Sequence, residues 1–297
     1  MRSAEFKPDV QSMSEGAFVA PDRPVQVIRP VSSASEIIVG GMRSLIQSAG
    51  LLRSMTVTHL KMRYRYSFLG WCWALLQPVV LMVLYTLIFS RLVRYSDNSF
   101  PYALFVFAGL IPWTFCSTSI STAATGMLNH RSLMARVYFP REIVPISFVI
   151  ASLIDPAIAF TLLSSMMLYY SISIPWTIFL IIPIFGILAV LVVSICLVVS
   201  SVQVRIRDVS VGLPLLLQVL VFTAPIVYPA SAVPAAVQSL YWYNPFAILV
   251  QSFREAVFGG SFPVAGDMVY CTITTVVCFL ISYFVFKKIE PTIVDDM

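Results

Sequence analysis

The side chains that could carry chemistry are few and scattered. Only two histidines occur, His59 and His130, and neither stands beside a cluster of Cys or Asp in the sequence. No G-x-S-x-G elbow presents a serine nucleophile, and no G-x-x-x-x-G-K-[ST] or G-x-G-x-x-G stretch offers backbone amides to a nucleotide's phosphates. A glycosyl-transferring or hydrolysing site needs paired carboxylates, whereas the 14 Asp and Glu here are dispersed. One acid stands out: Asp155 lies inside a long apolar run and precedes Pro156. Acids within membrane spans are costly and often functional. Asp before Pro also caps a restarted helix, its oxygen accepting amides left free at the break. Both roles stay open, and the apolar runs hold no second charge to partner it. The chain is not expected to be an enzyme, and neither a metal nor a cofactor is expected on it.

The densest polar feature is an island at residues 128–145, which holds Arg131, Arg136, Arg141 and Glu142 between two long apolar runs. In a chain with 19 Lys+Arg and 14 Asp+Glu among 297 residues, such an island belongs in water or at lipid headgroups. A soluble partner can grip it there. Leu128, Leu133, Met134 and Val137 suit a short helix over residues 128–138, and Pro140 ends it by removing a backbone donor. A short helix fixed between two spans can pass a push into the bilayer.

The elements that must position these residues are membrane spans. The composition is 59% hydrophobic and 11% charged, against about 25% charged in soluble domains, and the mean hydropathy is +0.88. Crossing the hydrocarbon takes about 20 apolar residues, which predicts six spans at 71–92, 102–127, 143–170, 176–204, 209–228 and 268–286. Twelve Lys and Arg fall in one set of loops and three in the other, which predicts both termini in the cytoplasm. The basic residues thus follow membrane topology, and nucleic acid is not an expected partner. Cys72, Cys116, Cys196, Cys271 and Cys278 fall almost entirely in apolar runs and read as small core residues. Residues 1–41 are polar and proline-bearing and read as a flexible cytoplasmic tail without a cleavable signal. Residues 42–288 form the membrane domain, and 289–297 a second cytoplasmic tail.

Residues 42–66 carry apolar side chains at helical spacing and end in Lys61, Arg63, Tyr64 and Arg65, so they predict an amphipathic helix in the interface. It either anchors on anionic lipid or meets a charged headgroup at a gate. Between the last two spans, residues 233–246 and 247–260 are too short to cross, and Asn244-Pro245 is a turn signal. They predict two re-entrant helices. Aromatics crowd the span ends at Trp71, Trp73, Tyr102, Phe105, Trp113, Phe115, Tyr241, Trp242 and Tyr243. An interfacial belt accounts for most of them, while aromatic faces also let sugar rings slide; both readings stand.

Five stretches in order carry a resemblance: residues 60–78 (LKMRYRYSFLGWCWALLQP), 101–115 (PYALFVFAGLIPWTF), 137–142 (VYFPRE), 207–209 (RDV) and 240–245 (LYWYNP). Together they resemble the permease subunit of ABC-2 type polysaccharide exporters, over roughly residues 42–288. The resemblance implies a homodimer in the bacterial inner membrane, joined by two copies of a separate ABC ATPase that binds ATP and Mg. The implied cargo is a lipid-linked glycan, with O-antigen the leading expectation and capsule or teichoic acid as alternatives. By the same likeness Arg136, Val137, Tyr138, Phe139, Pro140, Arg141 and Glu142 couple to the ATPase. The same likeness implies that Lys61, Arg63, Tyr64, Arg65, Trp71 and Trp73 form a gate at the cytoplasmic entrance and residues 233–258 a re-entrant pair at the outer exit, while the span-end aromatics stay candidates for lining a channel. His130 and Arg131 before Ser132, and Cys72 between two tryptophans, depart from the pattern and bear on substrate alone. A stand-alone secondary transporter using Asp155, and a scaffold for glycan-synthesis enzymes, are the competing readings.

Overall fold

A computed structural model of the chain describes residues 34–65, 70–90, 100–134, 139–206, 208–229, 242–259 and 263–293. All regular structure among them is helical. In hydrocarbon each backbone N–H and C=O needs a partner within its own segment, which helices supply. Among the described residues the first helices are α1 (Ala34–Gln47) and α2 (Ala49–Tyr64), followed by α3 (Cys72–Phe89), α4 (Tyr102–Asn129) and the short α5 (Arg131–Met134). Next come α6 (Ile143–Ser152), α7 (Ile154–Tyr169), a 3-10 turn at Trp176–Leu180, α8 (Ile181–Arg205) and α9 (Val209–Leu220) with a 3-10 turn at Val221–Thr223. The last helices are α10 (Pro245–Phe258) and α11 (Ala265–Ile293).

Several expectations are refined. The amphipathic helix begins at Ala34, not residue 42, and breaks at Ser48 into α1 and α2. The helix expected over 128–138 is divided: α4 runs on to Asn129, the chain turns at His130, and α5 follows. The span at 143–170 breaks at Leu153, because Pro156 cannot donate to the Ser152 carbonyl and its ring crowds it. At the break the Leu153 N–H makes a tighter bond to the Ile150 carbonyl, at 3.2 Å.

Five segments are long and apolar enough to cross a membrane, Cys72–Phe89, Tyr102–Asn129, Ile143–Tyr169, Trp176–Arg205 and Ala265–Pro291. The sixth expected span is the shorter apolar helix Val209–Thr223. Its 12 α-helical residues rise only about 18 Å. The chain then continues through a buried bend, Ala224 to Val227, whose last carbonyl accepts from the Tyr102 hydroxyl at the start of α4.

α4 is the centre of the bundle. Phe107, Leu110, Ile111 and Phe115 are wholly enclosed by the surrounding helices, whereas α3 turns most of its surface outward. The ends of α4, α8 and α11 meet the start of α6 in a second core built from Met127, Phe139, Ile143, Val204, Tyr283 and Phe286. This basic end carries Arg131, Arg141, Arg205 and Lys287. The opposite end gathers Phe100 against Phe258, and Gly259 against Pro175.

Candidate functional site

At the basic end, two consecutive island residues are bound to the last helix. Glu142 is fully buried, and its carboxylate accepts from the Tyr283 hydroxyl at 3.0 Å and from Lys287 Nζ at 2.8 Å. Lys287 also reaches Glu290 at 2.9 Å. The Arg141 amide donates to Glu290 Oε1 at 3.3 Å, and its guanidinium donates to the Glu290 carbonyl. A buried charge stripped of its partner costs about 3–5 kcal/mol, so this contact is not casually broken. Of the residues expected to couple, Phe139 and Glu142 therefore face inward, Pro140 and Arg141 are half-buried, and Arg136, Val137 and Tyr138 lie outside the described residues.

The expected gate helix, α2, lies along α6. Its C-terminal end is fixed to Asp155: Arg63 makes an ion pair with that carboxylate at 2.7 Å, and the Tyr64 hydroxyl donates to it. Asp155 is buried and does not cap α7, whose first turn takes no side-chain cap. The intramembrane acid thus has partners, supplied by a helix outside the apolar runs. Burial and then the bond to Asp155 raise the Tyr64 hydroxyl above its ordinary range, so it remains a donor. Tyr64 stacks on Trp71 at 4.2 Å, while Trp71, Trp73, Lys61 and Arg65 are exposed.

One turn back, the two histidines meet. His59 Nε2 lies 3.3 Å from His130 Nε2, and its ring stacks on Phe148 at 3.8 Å. His130 Nδ1 lies 2.8 Å from the Gly126 carbonyl, and His59 Nδ1 lies 3.2 Å from the Ser147 hydroxyl. With both rings neutral every contact is satisfied: His130 Nδ1–H donates to Gly126, His59 Nε2–H donates to His130, and Ser147 donates to His59. One extra proton also fits, with His130 donating to His59, His59 to Ser147, and Ser147 to Val144 at 2.7 Å. A second proton sets two N–H groups face to face. Burial, then the charge on His130, lowers the His59 pKa from its ordinary 6.5 to about 4. A cleft of about 290 Å³ opens beside this pair, lined by His59, Arg63, Thr122, Phe148 and Ser152 among others. A larger groove of about 410 Å³ between α4, α7, α8 and α10 is lined entirely by apolar residues and glycine and suits hydrocarbon.

At the opposite end, α10 starts deep and climbs to the surface. Asn244 caps it by accepting from the Phe246 amide at 3.0 Å, Pro245 takes the first position, and Gly259 ends it at φ 72°. Its start lies against Trp113 through Phe246, and its end against Phe100 through Phe258. Of the first expected re-entrant segment, 233–246, residues 233–241 lie outside the described residues, and Pro245 and Phe246 belong to α10. Buried Arg254 donates to the carbonyls of Phe105 (3.2 Å), Ile226 (2.8 Å) and Pro225, with its guanidinium 3.6 Å above the Phe105 ring. Gly109 leaves room for this; a Cβ there meets Arg254 Nη2 at 2.3 Å. Tyr102, Phe105, Trp113 and Phe115, expected as channel-lining aromatics, are packed inside the protein. Helix neighbours claim them, and they present no open face. Trp242 and Tyr243 are exposed beside the Asn244 turn, and Tyr241 lies outside the described residues.

A sequence profile of the ABC-2 type transporter matches residues 50–258. The chain belongs to the ABC-2 type transporter family. It is 28% identical over 249 residues to the O-antigen export system permease protein RfbA of Myxococcus xanthus, covering 83% of this chain and 95% of that one. It is 26% identical over 215 residues to the protein of the same name from Klebsiella pneumoniae, covering 71% and 81%. Against the polysialic acid transport protein KpsM of Escherichia coli it is 24% identical over 253 residues, covering 82% and 95%. This ABC-2 chain is thus a multi-pass membrane protein of a transporter family. The profile takes in Glu142, Asp155 and Arg254 but stops short of Tyr283, Lys287 and Glu290. Sequence reasoning missed those three as partners of the island. The available signal was scarcity: where charges are few, an acid and a lysine at one membrane face seek each other.

Proposed function

We propose that this chain is the membrane-spanning subunit of an exporter that moves a lipid-linked polysaccharide, with O-antigen the leading cargo and capsule or teichoic acid as alternatives. The observation that carries the proposal is the likeness along 95% of the M. xanthus O-antigen export permease. The sequence holds no phosphate-cradling motif, so ATP and Mg belong to a separate ABC ATPase, two copies serving a homodimeric permease. The basic end is cytoplasmic in this reading, in the inner membrane of a bacterium. The direction of α9, from Arg205 at the basic end to Tyr102 at the other, supports a sixth crossing and both termini on the cytoplasmic side. The island's stretch from Arg136 to Arg141 docks the ATPase, and buried Glu142 fastens that stretch to the last helix from within. The cleft beside α2, with Arg63 and exposed Lys61, Arg65, Trp71 and Trp73, meets the glycan's anionic headgroup, and Tyr241, Trp242 and Tyr243 face the passing sugar.

The pairing of Asp155 with Arg63 weighs against the stand-alone transporter, which needs a carboxylate free to exchange protons. The test is gentle purification from native membranes with identification of every chain and glycan retained. An ABC ATPase in equal amount with a lipid-linked glycan is the expected result. If the chain comes alone and moves an ion by itself in liposomes, the exporter reading fails. In the reconstituted complex Arg141→Glu should weaken ATPase docking; unchanged docking and turnover would overturn the coupling role.

A further inference from the structure

The coupling island is fastened to a helix 145 residues further along the chain, not only to the span it precedes. Its partners on α11, Tyr283, Lys287 and Glu290, are spaced four and three apart and so share one helix face. The acid they hold is fully buried, and a buried carboxylate does not part from its lysine without losing both charge partner and hydrogen bonds. Arg141 adds two contacts to Glu290. The start of α6 and the end of α11 must therefore move together.

α11 then runs 29 residues without interruption. From Lys287 back to Tyr270 it covers about 26 Å. At that far end the Tyr270 hydroxyl donates to the Tyr243 carbonyl at 2.9 Å, and Cys271 Sγ lies 3.7 Å from the Pro245 carbonyl. Both acceptors belong to the turn that opens α10. Between its ends α11 buries small side chains, Cys271, Thr275 and Ser282, as it packs along α8. Its large buried rings, Tyr283 and Phe286, sit at the island end and seat it in the second core.

We propose that Glu142 and Lys287 are positioning residues that lock the island to α11, and that α11 carries the island's displacement across the membrane to the turn at Tyr243 and Pro245. This rests on the exporter reading above, in which an ATPase displaces the island. The device links the ATPase face to the outer re-entrant helix through one rigid element.

The experiment uses the chain with its ATPase in nanodiscs, comparing wild type, E142Q, K287M, K287R and Y270F. ATPase retention, ATP turnover, glycan exported per ATP, and amide exchange over residues 243–258 with and without ATP plus vanadate are read on each. E142Q keeps the shape of the site and serves if K287M folds poorly. E142Q and K287M should retain the ATPase and its turnover while export per ATP drops by about fivefold or more, the scale of a coupling free energy. The nucleotide-dependent change in exchange over 243–258 should vanish in both and in Y270F, and K287R should restore it. A merely structural role leaves that nucleotide response intact. If E142Q shows the wild-type response and export ratio, the inference is overturned while the exporter reading stands. If wild type binds no ATPase, the exporter reading falls and the inference with it.

Discussion

Acidification should release α2 from the bundle. The docked helix buries His59 between His130, in the turn after α4, and Ser147 and Phe148 of α6, and holds its pKa at about 4 against 6.5 when free. The charges that follow His59 on α2 are Lys61, which is exposed, and Arg63, which is paired with Asp155 of α7. Because the docked pKa is the lower one, the undocked helix binds more protons between these two values. Docking is therefore at full strength above pH 6.5 and weakens as pH falls toward 4. Moving from pH 7.5 to pH 5 should cost about 2 kcal/mol, about 30-fold in the docked-to-free ratio. The proton bookkeeping agrees, since the pair accommodates one proton and not two. Amide exchange over residues 49–64 in nanodiscs, corrected for intrinsic rates, measures the ratio directly. His59→Phe preserves stacking on Phe148 and removes the titration, so its protection should be flat across the same range. Wild-type protection that stays within about threefold between pH 7.5 and 5 refutes the reasoning, as does a pH response that survives in His59→Phe.

Other perturbations bear on the remaining contacts. Asp155→Asn keeps the size of the side chain and removes its charge, so the C-terminal end of α2 should loosen by about 1–3 kcal/mol, seen as faster exchange at residues 60–65. If that variant instead abolished pH-driven flux in liposomes lacking any ATPase, the transporter reading would replace the exporter. Arg254→Lys supplies a point charge in place of a planar fork and cannot reach three carbonyls while stacking on Phe105; a loss of about 2–4 kcal/mol is expected. Thermal unfolding in detergent reads it, and a variant as stable as wild type contradicts the clamp.

The class of fold was open to inspection in the sequence because hydrocarbon imposes its own demand on every crossing segment. Asn244-Pro245 was legible for a similar reason: capping and proline geometry are local. Depth and partnership were not. Val209–Thr223 has the composition of a span but reaches the far end only through the bend after it, and that bend is set by Tyr102 and Arg254, distant in sequence. The dense aromatics of α4 read as belt or channel, and neighbouring helices enclose them in the core instead. Asp155 looked solitary because its partners sit in an amphipathic segment outside the spans. Glu142 looked like a docking charge, since nothing local foretells that Lys287 will cover it.

The separation between Asp155 and its partners also bears on how the protein is made. Tyr64 and Asp155 stand 91 positions apart, and at about 5–20 residues per second a ribosome needs roughly 5–20 s to traverse that interval. Over that interval the two passes α3 and α4 are made while the C-terminal end of α2 lacks its anchoring carboxylate. Its basic side chains have only lipid phosphates to answer them, so the newborn chain depends on an anionic leaflet before it depends on itself. The island waits longer still, and any synthesis arrested before Lys287 leaves Glu142 without its cation. A cell that surveys nascent membrane proteins for unanswered charge meets such a fragment at that residue.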